Sequence, residues 1–406
     1  MPMLIHRPGR KLSASIAVLF LLLSLGFFVY SLQKFTENSP KVSISTSETP
    51  PIKIVPKPSP EAKYDVHIDI KPSVTFGTAK IVSESSKVFA YAHGVAAADG
   101  KLFIGMAAFG GNTFPTDEVL IFDDKDISKP SIVRLKAAGD VTTMTYDLTN
   151  DKVYFVLSSN DALDIYSLDP HTYAVTEITS TSKIDSGNRP AIVTDGIYIY
   201  GITNTEHSSI FRVKIKGGEL TVNSNKHIPY GHSAAIGIFG STTELYFGGG
   251  MANGFEKADA VTLDPISQIK IEPCGMANDM LFEKASSLSG YVYIGCEFTP
   301  SGIRIDTKSM SSVGFSLPGS SFGLFKIGQD LYNAAQDGYI DTFPNFNLFD
   351  LRRFKVIDGT TTPLINGQNL EVNKILYAPE SGKLYFTAWW GTKGLFEVST
   401  STNPVR

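Results

Sequence analysis

The chain has 406 residues, 42% of them apolar and 19% charged, enough to bury a large core in one big all-β domain or in two or three smaller ones. Its 36 basic and 40 acidic side chains leave a net charge of −4, with no basic patch and no acidic tail, which argues against a nucleic-acid partner. Two cysteines, Cys274 and Cys296, are too few for a disulfide scaffold or a four-cysteine zinc site.

Residues 12–32, LSASIAVLFLLLSLGFFVYSL, run for 21 positions without a charge. A helix of that length crosses the ~30 Å of a bilayer's hydrocarbon. Arg7, Arg10 and Lys11 lie before it in a basic tail over residues 1–11, which predicts a cytoplasmic N-terminus and an external bulk. The reading is an uncleaved, single-pass signal anchor. The competing reading is a secretory signal cleaved near Val29-Tyr30-Ser31; the length of the apolar run and the lack of an Ala-x-Ala site stand against it. Residues 33–64 carry Ser, Thr and Pro, with six prolines in 39–62 and no apolar period. Proline removes donors and stiffens a chain, so this stretch is expected to be a semi-rigid stalk, followed by one folded domain over 65–406.

Within that domain one short pattern recurs. GKLFIG, DKVYFV, DGIYIY, TELYFG, GYVYIG, QDLYNA and GKLYFT follow turns at Gly100, Asp151, Asp195, Thr243, Gly290, Gln329 and Gly382. Their aliphatic anchors, Leu102, Val153, Ile197, Leu245, Val292, Leu331 and Leu384, are separated by 51, 44, 48, 47, 39 and 53 residues. A period of 40–50 residues built from strands alone is the mark of propeller blades. Each unit reads as four strands, a to d. The a strands are small and apolar, as where strands crowd a channel, and the d strands carry more charge, SIVRLK and RRFKVID among them. The last unit has no d strand of its own, which would leave an open hydrogen-bonding edge. SVTFGTAKIV, residues 73–82, is expected to close the ring as that missing strand; a strand of an unrelated cap is the alternative. The fold class is therefore all-β, a seven-bladed β-propeller of four-stranded blades.

The DKVYFV and GKLYFT runs with their IYSLDP partners resemble the broad superfamily of seven-bladed propellers of YVTN and quinoprotein-like type. The resemblance covers residues 73–400 and bears on architecture. Tryptophan-docking motifs, WD dipeptides and Asp-boxes are absent. Because the superfamily holds binding modules, lyases, hydrolases and dehydrogenases, the fold does not choose an activity.

By resemblance to propellers generally, ligands bind on the face where strand a begins and strand b ends. The a strands open on His93, Asp140, Asn188, His232, Asn278, Ser321 and Asn373, a polar ring over apolar strands. His207 falls in a b–c loop on the same face. His93 and His232 sit in nearly opposite blades, so only an ion in the channel would join them; the bland reading is that all three are hydrogen-bonded surface histidines. Trp389 and Trp390, at a b–c loop, offer indole faces that stack on sugars or aromatic side chains, or pack between blades. FGGN and FGGG, at Phe109 and Phe247, read as tight loops requiring positive φ. Asp279, Glu297 and Asp337 lie near this face without forming an acid–base pair. Cys274 and Cys296 fall on it in one blade, where an external compartment would permit a disulfide. No nucleophile elbow, phosphate loop or zinc-protease motif occurs, and no cofactor or metal is implied. Three functions remain: a non-catalytic binder of a cell-envelope glycan or protein, an enzyme of the metal-assisted polysaccharide lyase or hydrolase kind, and a displayed scaffold.

Overall fold

The computed structural model describes residues 74–402, apart from 78, 85–91, 107–116, 160–161, 183, 188, 251–253, 318, 329, 336–338, 344–359, 364–370 and 391–393. The chain divides into two compact units, Met1–Ala62 and Lys63–Arg406, and all the described residues belong to the second. The expected tail, membrane span and stalk lie outside the described residues.

What is described is strand and turn: 29 strands in seven antiparallel sheets. Six sheets are four-stranded and follow the chain, over residues 92–134, 140–181, 191–223, 231–270, 276–316 and 321–363; they are blades 1 to 6. The seventh joins both ends of the described chain. Glu371–Ala378, Lys383–Trp390 and Gly394–Thr402 come from one end, and Val74–Phe76 and Lys80–Glu84 from the other pair antiparallel with Gly394–Thr402. The seven innermost strands are Ala92–Ala98, Asp140–Asp147, Ala191–Thr194, Gly231–Phe239, Met276–Lys284, Ser321–Ile327 and Glu371–Ala378. Each lies against the next and the last lies against the first, so the ring is closed. The fold is an all-β propeller of four-stranded antiparallel blades.

The repeated sequence pattern has a packing cause. Residues Leu102, Val153, Leu245, Val292, Leu331 and Leu384 are all buried, and the aromatic ring that follows each one is buried as well. Phe103, Tyr154, Tyr246, Tyr293, Tyr332 and Tyr385 are at most 1% exposed and fill the space between neighbouring blades. Burying a Phe-sized side chain stabilises by about 1.5–3 kcal/mol, and each blade offers the ring once. Two of the tyrosine hydroxyls find carboxylates at the blade margin: Tyr332 donates to Asp330 over 3.3 Å and Tyr246 donates to Glu244.

Three local readings of the sequence need correction. In blade 3 the anchor is Ile199, fully buried, with Tyr200 behind it, whereas Ile197 is 61% exposed. The turn there consumes two more residues, with Gly196 at φ +86°, and the corrected spacings on either side are both 46. The outer strand of blade 6 is Thr360–Pro363, pairing with Tyr339–Phe343, and RRFKVID lies outside the described residues. Finally, Gly248 and Gly249 end a strand and have no positive φ. Gly248 is small for another reason: a Cβ there would collide with Ser233 and Ala277.

Candidate functional site

Six of the seven inner strands break register with the second strand of their blade within their first few residues. The breaks fall between Ala92 and Val95, Val141 and Thr143, Gly231 and Ser233, Ala277 and Asp279, Ser321 and Gly323, and around Val372. A bulge adds a residue, twists the strand and re-aims a side chain. Here it sets off His93, Thr142, His232 and Asn278, and Asn373 by backbone position, at one mouth of the channel.

Arg189, just ahead of the inner strand of blade 3, supplies the centre. Its Nη1 lies 3.3 Å from His232 Nε2 and its Nη2 lies 3.5 Å from His93 Nε2. A guanidinium only donates, so both Nε2 atoms accept and each ring is a neutral imidazole protonated on Nδ1. Electrostatics agree. Burial, then the charges of Arg189 and Lys374, hold His93 well below its ordinary value, and the same causes push His232 down to about 3.

Lys374, in the innermost strand of the closing sheet, is also held below its ordinary value, by burial first and by Arg189, while Asp279 and Glu297 pull it upward. No hydrogen bond or ion pair ties its ammonium to a described residue. Asp279 is committed to backbone: its Oδ1 accepts from Met280 N and its Oδ2 from Leu324 N, each at 2.9 Å. Glu297 is 7% exposed and its Oε2 has no hydrogen-bond partner. Burial pushes both carboxyls upward, against the pull of Lys374 on each and of Arg189 on Glu297. Ser321 Oγ is likewise buried without a partner. Such orphaned polar atoms call for a water or a ligand.

The structure thus brings together His93 and His232 by way of an arginine side chain. Among the described residues, no group of three or more His, Cys, Asp or Glu is placed to hold a metal. His207 is exposed in its loop and stays outside the cluster. Asn188 and Asp337 lie outside the described residues. Trp389 and Trp390 end the strand Lys383–Trp390 at this mouth, and only their backbone is described. Cys274 and Cys296 are joined in a disulfide, S–S 2.09 Å and Cα–Cα 5.2 Å, both fully buried, and Cys296 directly precedes Glu297 in sequence. Sequence reasoning missed Arg189 and Lys374. The signals were present: Pro190 biases Arg189 to an extended conformation ahead of the strand, and Lys374 directly precedes the apolar run Ile375-Leu376-Tyr377-Ala378 of an inner strand.

Ring and mouth together define a class: a β-propeller with a buried, charge-bearing cluster at one end of its channel. Among solved structures, the chain is similar to one in the "Crystal Structure of Mitotic Checkpoint Complex". That match has a TM-score of 0.58 and 10% identity, and it covers 87% of this chain and 100% of the other. At that identity the likeness shows the fold alone. No protein-family model and no curated protein matches the chain.

Proposed function

We propose that this chain is a membrane-anchored binding module whose propeller lies outside the cytoplasm and takes a cell-envelope glycan or a protein at the channel mouth. The observation that carries the reading is the convergence of His93, Arg189, His232, Asp279, Glu297 and Lys374 on one mouth, with buried polar atoms left without partners there. Convergent polar groups in a concave, largely apolar setting are what a binding site requires. The charge-free run 12–32 supports the anchor, and the Cys274–Cys296 disulfide accords with an oxidising compartment. We also place the chain among the seven-bladed propellers of YVTN and quinoprotein-like type, a reading supported by the closed circle of seven inner strands.

A second reading, an enzyme of the lyase or hydrolase kind at the same mouth, is favoured by one observation. Lys374 sits below and Glu297 above their ordinary values, the displacement that acid–base chemistry exploits. The two readings separate in one experiment. Full-length protein in detergent is titrated with solubilised cell-envelope polysaccharide and envelope proteins, and the ligand is recovered and sized. Binding with ligand intact, weakened by Arg189→Gln, supports the module; shortened or unsaturated sugar supports the enzyme. Binding indifferent to Arg189→Gln would remove the mouth from both.

A further inference from the structure

Among the described residues eight other than glycine hold a positive φ, and two of them are unlike the rest. A bulky side chain avoids that region, so each case needs a cause. Asp99 and Asp151 sit in a–b turns, where aspartate tolerates it. Lys226 turns its carbonyl to Gln268 Nε2. Tyr173, Leu263 and Met310 each donate N–H to the aspartate carbonyl that opens a c–d turn, and each packs into a core. Tyr230, at φ 52°, and Phe298, at φ 68°, gain no such packing. Neither ring joins the buried clusters beside it, and they are 38% and 65% exposed.

Both open onto the mouth, from neighbouring blades. Tyr230 immediately precedes the inner strand of blade 4, and Phe298 immediately follows the second strand of blade 5. Their backbones are pinned. Tyr230 N donates to Thr205 O over 2.7 Å, and the Tyr230 carbonyl accepts from Gly250 N. Phe298 follows closely on the Cys274–Cys296 disulfide, and the turn after it is held by Ser301 N on Thr299 O and Leu317 N on Pro300 O. Glycines bring the two loops together. A Cβ on Gly250 would lie 3.1 Å from Tyr230 Cβ and 3.8 Å from Met276 Sδ, and one on Gly275 would lie 3.6 Å from Phe298 Cβ. Two aromatic rings are thus held at the rim on either side of Gly250, Gly275 and Met276, on backbone strained to present them.

We propose that Tyr230 and Phe298 form a stacking shelf for a neutral oligosaccharide, whose sugar rings lie on the two aromatic faces with their hydroxyls turned to water. This rests on the reading of the mouth as the binding face and narrows it. The C–H face of a sugar is apolar and suits the negative face of an aromatic ring, while its hydroxyls stay hydrated, so no deep pocket is required. The shelf carries no charge. Pro229, Gly250, Gly275, Met276, Thr299 and Pro300 flank the rings, and the one carboxylate next to them in sequence, Glu297, is buried. Nothing on it would hold the anionic group of an acidic sugar. A protein partner suits it less well, because the core of such an interface is a broad apolar patch. Among the described residues, Tyr230 and Phe298 are the only exposed large apolar side chains in the loops of the mouth.

An array of neutral oligosaccharides, acidic oligosaccharides and peptides, probed with the full-length protein in detergent, tests this. The tightest binder, expected among the neutral sugars, is then titrated by calorimetry. Its affinity should hold as salt rises, since no charge pair forms. Phe298→Asn and Tyr230→Asn should each weaken it about tenfold, the scale of one aromatic stack, while Phe298→Trp should keep it. Asparagine tolerates a positive φ, so the thermal midpoint of both Asn variants should stay or rise. Midpoints that fall by several degrees would show the rings to be packing elements and overturn the proposal. A neutral sugar bound equally by parent and Asn variants also overturns the shelf, but leaves the mouth as binding face if Arg189→Gln weakens it. Indifference to all three variants removes shelf and mouth together. A preference for acidic sugars or for peptides, or no binding anywhere on the array, sinks the neutral-sugar reading.

Discussion

Buried titratable residues are of two kinds in this propeller, one charged and one neutral, and they respond differently to change. Glu256 is fully buried in blade 4, where His227 Nδ1, Ile228 N and Gln268 Nε2 meet its carboxylate at 2.7, 3.0 and 2.8 Å. Glu256→Ala would leave these groups facing a void, a loss expected to cost roughly 3–5 kcal/mol in denaturant unfolding. A cost below about 1 kcal/mol would mean that water replaces the carboxylate easily. The mouth histidines behave otherwise. Both titrate below the usual 6.5 in the folded chain, so on acidification the unfolded chain takes up their protons first. Their stabilising contribution is complete above about pH 6.5 and is lost as pH falls through that value towards the folded value of about 3 for His232. Asp279 and Glu297 oppose this, since raised carboxyls are protonated earlier in the folded state. His171, clasped between Asp99 and Asp151 across blades 1 and 2 and raised by them, also stabilises towards low pH. Comparison with a double variant removes these common terms. Between about pH 7 and pH 5, the thermal midpoint of the parent should drop further than that of His93→Asn/His232→Asn. Parallel pH profiles would show that the rings are not neutral in the folded chain.

Elements depend on one another here more than on their own propensities. The strands Val74–Phe76 and Lys80–Glu84 add the outer edge to a sheet built from the other end of the chain, with Val74 opposite Thr402 and Glu84 opposite Gly394. Without them, the strand Gly394–Thr402 would present unpaired amides and carbonyls to other molecules. Phe76 also packs edge-on against Tyr332 of blade 6, centroids 5.1 Å apart, so the added segment closes a seam as well as an edge. A chain with residues 74–84 deleted should melt lower and elute as aggregate on size exclusion. A monomer with an unchanged melt would show that the ring closes without this segment. The disulfide acts on a shorter scale, tying the loop ahead of blade 5 to the strand Gly290–Glu297 that presents Glu297. Closing a separation of 22 residues contributes about 3 kcal/mol in the chain-entropy model.

At the scale of the whole molecule, the described chain begins at Val74 beside Thr402, the end of its sheet remote from the mouth. The proposed anchor and stalk make a definite prediction about the rest. Protease added to intact cells should release a propeller-sized fragment whose N-terminus falls within residues 39–62. A propeller that stays intact until the cells are lysed would sink the external topology, while leaving the ligand reading to its own test.

The sequence by itself determined the propeller and its repeat, because packing between blades demands an aliphatic–aromatic pair once per blade and Leu102–Phe103, Leu245–Tyr246 and Val292–Tyr293 supply it. It pointed to His93 and His232 as well, since a histidine opening an apolar strand is visible in one dimension. It was weakest where the register depends on turn geometry, as at Ile197, and where smallness reflects a neighbouring blade, as at Gly248. The joining of His93 to His232 by Arg189 was decided only in three dimensions. Those residues are 96 and 43 positions from Arg189, and ring closure together with the bulge that sets off each histidine brings them within hydrogen-bonding range. The character of Lys374 and Glu297 was decided there too, because burial and the charges of distant strands, not local sequence, set the cost of holding a proton.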